Sequence, residues 1–233
     1  MASPYLLEIS VETAEAAVAA ERGGAQRIEL CADLRLGGLT PGEELMGQAR
    51  EQARLPIFAM IRPRAGDFIY SQEEMAQIRR AIATAERLGM DGVVLGLLTE
   101  DPRVDVQRTR ELVKLAQPLP VTFHRAFDDV ADLDAALEDV IETGAARILT
   151  SGGAPTAPQG LGALAKLVAA AGNRITIVPG SGVNASNILE VAQHTQAREF
   201  HSGLGTRIPY GSRNDTLVED EVRKMAHVLA GGV

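Results

Sequence analysis

The chain predicts an α/β fold, a single (β/α)₈ barrel of the TIM type over residues 1–233. Three observations carry the prediction. Eight short apolar runs recur along the sequence, helical patterns lie between them, and polar or glycine-rich residues follow almost every run. The absence of an obvious central switch point favours a closed barrel over an open doubly wound sheet.

The strand candidates are Leu6–Ile9, Ile28–Leu30, Ile57–Ile61, Val93–Leu98, Val121–Phe123, Ile148–Leu149, Ile175–Val178 and a weaker Glu199–His201. Helix starts are marked by capping patterns. Thr40-Pro41-Gly42-Glu43 and Ser71-Gln72-Glu73-Glu74 read as capping boxes, and Asp105, Asp132, Asn184 and Asp215 read as caps of later helices. The helix-to-strand junctions repeat: Gly24-Ala25-Gln26-Arg27-Ile28 resembles Gly144-Ala145-Ala146-Arg147-Ile148, with glycine ending each helix.

Composition narrows the function classes. A formal net charge of −8 disfavours nucleic acid and anionic membranes as partners. No apolar run approaches the roughly 20 residues of a membrane helix, and the first residues lack the basic region of a signal peptide. A single cysteine, Cys31, precludes an internal disulfide and fits a reducing cytoplasm. The expected partner is a small molecule or a metal ion.

Reactive side chains gather at the carboxyl ends of the strands, where barrel sites form. Glu8, Glu29, Arg62, His124, Ser151 and His201 are expected to line one mouth. Glu29 and His124 are candidates for proton exchange. Arg62 and Asp67 join them as catalytic candidates; Arg62 serves either as an anion fork or as an internal partner of Glu8 or Glu29. Glycine turns at Ser151-Gly152-Gly153, Gly180-Ser181-Gly182 and Ser202-Gly203 suggest an anion nest near Gly152, Gly180 and Gly182. Arg62 or Arg125 would supply its counter-charge. Cys31 is the one thiol able to anchor copper(I), with Met60 and His124 as co-ligands; a single thiolate makes such a site weak.

The same residues carry a family resemblance. Arg27-Ile28-Glu29-Leu30-Cys31, Gly37-Gly38-Leu39-Thr40-Pro41, Met60-Ile61-Arg62-Pro63-Arg64, Thr122–Asp128, Ile148–Gly152 and Glu199-Phe200-His201 resemble the CutC family, the copper homeostasis proteins. Ala65 and Ser181 depart from its usual pattern. The resemblance implies a cytoplasmic barrel, a homo-oligomer expected here as a dimer, and a link to copper. The residues equally support an enzyme acting on a small polar or anionic metabolite.

Overall fold

The computed structural model describes residues 5–205, 207–208 and 214–231. Eight parallel strands alternate with eight α-helices. The strands are β1 (Leu6–Val11), β2 (Arg27–Leu30), β3 (Ile57–Met60), β4 (Gly92–Leu95), β5 (Val121–Phe123), β6 (Arg147–Thr150), β7 (Thr176–Pro179) and β8 (Glu199–Ser202). The helices are α1 (Ala14–Gly23), α2 (Glu43–Gln52), α3 (Gln72–Arg87), α4 (Val106–Ala116), α5 (Leu133–Thr143), α6 (Leu161–Ala171), α7 (Ile188–Thr195) and α8 (Asp215–Leu229). Among the described residues, no helix is long and apolar enough to cross a membrane.

Each strand pairs with the next from β1 to β7, and β8 pairs with β1 in the register Glu8↔His201. The barrel is nearly closed: β7 and β8 share no paired register. Ser202 Oγ, donating to Val183 O at 2.7 Å, ties the two sides of this seam together.

Alternation along the strands builds two layers. Leu7, Ile9, Ile28, Leu30, Val93, Phe123, Ile148 and Phe200 are buried in the large apolar cluster shared with the helices. Their neighbours Glu8, Arg27, Glu29, Phe58, Arg147, Glu199 and His201 fill the barrel. Gly24 and Gly144 end α1 and α5 in the left-handed region, at φ +100 and +84, which permits the abrupt turn into the next strand.

Several helix starts differ from the sequence expectation. Ser71 forms the capping box with Glu74, and Asp105 and Asp132 cap α4 and α5. Thr40 does not cap α2, which starts from Gly42. Its hydroxyl accepts the Arg62 backbone N–H at 2.8 Å, so the side chain serves the neighbouring loop. The α8 cap is Asn214 rather than Asp215, and α7 starts after Asn187, with Asn184 binding the turn before it.

Candidate functional site

A cavity of about 450 Å³ opens at the carboxyl ends of the strands. Glu29, Arg62, His124, Arg125, Gly182 and His201 line it, six of the residues the sequence singles out. Glu8 lies one layer deeper, because β1 runs on to Val11 and Ser10 takes the place at the mouth. Ser151, Gly152, Gly180 and Asp67 are absent from the wall.

Three residues form a chain of contacts at the base. Glu8 is bound by Arg27 Nε, and its Oε1 lies 2.7 Å from His201 Nδ1. His201 Nε2 faces Glu29 Oε2 at 3.7 Å. Glu29 Oε1 is buried without a partner among the described residues. Burial raises the Glu8 carboxyl's proton affinity, but the Arg27 guanidinium and the His201 bond outweigh it and hold the pKa to about 2. Burial and the Glu8 charge push the Glu29 pKa up against the pull of His201. Burial opposes the charged imidazole of His201, yet Glu29 and Glu8 raise its pKa.

His124 follows β5 and is pinned by geometry. Its Nδ1 accepts the Ala126 backbone N–H at 3.2 Å, which places the proton on Nε2. The ring packs on Phe68 with centroids 4.8 Å apart and occupies the space above Gly96, where a Cβ would lie 2.5 Å from Nδ1. Burial, helped by Arg62, lowers the His124 pKa to about 3. At neutral pH it is therefore an N–H donor, and Nε2 has no partner among the described residues. The geometry favours a neutral N–H donor over a base at this position.

Arg62 is neither a free anion fork nor a partner of Glu8 or Glu29. Its Nη1 donates to Leu36 O at 2.8 Å and Nη2 to Gly66 O at 2.9 Å, while its guanidinium lies over Phe68 at 4.8 Å. It clamps the two loops that shape the mouth. Among the described residues its Nε has no partner. Asp67 is exposed and bound to Arg64 at 2.8 Å, so it serves loop structure outside the cavity.

The expected anion nest after β6 is filled by the protein itself. Asp128 Oδ1 accepts the N–H groups of Ser151 and Gly153, each at 3.0 Å, together with the Thr150 hydroxyl. Its Oδ2 accepts the Ser151 hydroxyl at 3.0 Å and Arg125 Nε at 2.8 Å. The Gly152 N–H is taken by Thr150 Oγ1 and that of Gly180 by Thr150 O, both at 2.9 Å. Asp128 ends the Thr122–Asp128 motif of the sequence, and its spacing from the Ser151 turn carries no local signal of this role. Gly96 was missed as well, because the apolar run Val93–Leu98 places it inside a strand, whereas β4 ends at Leu95.

One group of His, Cys, Asp or Glu among the described residues could hold a metal ion: Glu8, Glu29 and His201, with ligand atoms all within 4.8 Å of one another. Cys31 is outside it. The thiol is fully buried with Leu34, Phe58, Met60 and Val94, and donates to Glu29 Oε2 at 3.5 Å. Burial and the Glu29 carboxylate push its pKa well above the ordinary thiol value. Met60 is close by, for a Cβ at Gly38 would lie 3.0 Å from Cys31 Sγ and 3.4 Å from Met60 Cε. A thiol held protonated beside one thioether does not fit a resident copper(I) ion, which favours thiolate.

The model of the CutC family matches residues 5–206. The chain belongs to the CutC family. A CutC family protein of Chromobacterium violaceum is 47% identical over 208 residues, covering 89% of this chain and 84% of that one. The human copper homeostasis protein cutC homolog is 44% identical over 207 residues, covering 88% and 76%. The crystal structure of a CutC protein from Streptococcus agalactiae superposes with a TM-score of 0.80 at 30% identity, covering 85% of this chain and 98% of that one.

Proposed function

We propose that this CutC-family chain is an enzyme that holds a small polar or anionic metabolite in the mouth cavity and moves a proton on it. The supporting observation is that three cavity-lining side chains each leave a buried polar atom without a partner: Glu29 Oε1, Arg62 Nε and His124 Nε2. Each such atom costs about 1–3 kcal/mol when left unpaired. A ligand with acceptor oxygens recovers that cost at His124 and Arg62, where fixed N–H donors also stabilise charge developing on an oxygen. Glu29, joined to Glu8 through His201, faces the ligand's protonated end. A cytoplasmic setting and a homodimer belong to the same proposal.

The test is native mass spectrometry of the tag-free chain purified from cells. The wild type is expected to carry one small molecule, which Glu29→Gln and His124→Phe lose. Equal retention by both variants, or an empty wild type under gentle purification, would overturn the proposal. The copper link of the family's names is expressed here as weak copper(I) binding or none. In competition with a copper(I) chelator, any binding is expected to vanish in Cys31→Ser.

A further inference from the structure

We propose that Glu29 and His201, with Glu8 behind them, form a site for one divalent transition-metal ion of borderline softness, of the Co²⁺ and Zn²⁺ class. The facing atoms, His201 Nε2 and Glu29 Oε2, stand 3.7 Å apart. An ion between them with bonds of about 2.1 Å spans roughly 3.4 Å at the tetrahedral angle, so a small adjustment seats it.

An independent observation points to the same place. Glu29 is only 3% exposed, and its second oxygen, Oε1, has no partner among the described residues. A buried carboxylate oxygen without a donor invites a cation. The imidazole is already oriented for the task. Its Nδ1 is bound to Glu8 Oε1 at 2.7 Å, which directs Nε2 at Glu29, and Arg27 fixes Glu8 in turn. A carboxylate bonded to the far nitrogen of a ligating histidine is the usual outer support of such ions.

The donors are oxygen and imidazole nitrogen, which select a borderline divalent ion over copper(I). Positions not taken by protein face the cavity and stay open to water or to oxygens of a small ligand. Only that last point rests on the proposed function. There, ion and proton compete for the Glu29–His201 pair.

The test is titration of the tag-free, chelator-stripped chain with Co²⁺, followed by visible absorption and calorimetry. One ion per chain is expected. Glu29→Gln and His201→Gln should lose it, Glu8→Gln should weaken it by roughly 10–100-fold, and the exposed-site control His194→Gln should leave it unchanged. Wild-type affinity in both Glu29→Gln and His201→Gln, or loss in His194→Gln, overturns the site.

A readout on the wild type guards against variants that fail to fold. Co²⁺ should shift the imidazole resonances of His201 and spare those of the exposed His194 and His227. The reverse pattern overturns the proposal. A wild type that binds no Co²⁺ yet carries a small molecule lost in Glu29→Gln overturns the metal site and leaves the proposed enzyme standing.

Discussion

The two ends of the barrel hold similar residues in opposite states. At the amino ends of the strands, Arg27 binds Glu8 and Glu199, and Arg147 reaches the same Glu199 oxygen at 3.1 Å. Phe58 lies between the two guanidiniums, 5.1 Å from each. Of these charges, one Arg147 Nη1 alone lacks a partner. At the mouth, an arginine, a histidine and a glutamate each keep a buried atom unpaired beside a cavity. Charge inside a barrel is therefore no mark of function by itself. Paired charge beside an aromatic ring builds a plug, whereas unpaired polar atoms beside a cavity build a site.

Breaking the plug should have the largest effect on stability. Arg27→Met leaves Glu8 buried without its guanidinium, and about 3–5 kcal/mol should be lost in urea unfolding. A loss under about 1 kcal/mol would show that the lower end does not hold the barrel together. The mouth should reveal itself through acid. With the His124 pKa at about 3 when folded and 6.5 as the ordinary value, the unfolded chain takes up a proton that the folded chain refuses. This contribution is complete above pH 6.5 and declines as pH falls towards 3, by about 1.4 kcal/mol per pH unit. His124→Phe should flatten that slope, and an unchanged slope refutes the assignment.

Smaller effects sharpen the contrast. Asp128→Asn removes the charge on which the Ser151 turn converges and should cost about 1–3 kcal/mol. Hydrogen exchange at Ser151 and Gly153 should accelerate with it. Glu29→Gln should change stability by less than about 1 kcal/mol, since no strong partner loses its bond. A loss as large as that of Arg27→Met would place Glu29 in the scaffold.

The sequence made the frame legible because period, glycine junctions and strand-end chemistry all agreed. Glu199–His201 was found despite its polarity, and it forms β8. What stayed hidden depends on partners far along the chain. The depth of Glu8 follows from the two further residues of β1. Arg62 looked like an anion fork because its acceptors are backbone carbonyls of the loops around Leu36 and Gly66, which no residue pattern announces. The glycine turn after β6 has the conformation of an anion nest, but its occupant comes from 23 residues earlier. Local chemistry pointed to N–H donors around the Ser151 turn and could not see that Asp128 and Thr150 take them.

That internal occupancy makes the Ser151 turn a lock whose key is tethered to the chain. Cutting the key away with Asp128→Gly would leave donors arranged for a carboxylate and nothing to fill them. Formate or acetate in the buffer should then restore part of the lost melting temperature, while chloride at equal ionic strength should not. A structural turn would become an anion-gated one through a single substitution, and the gate would sit beside the mouth, joined to it through Arg125.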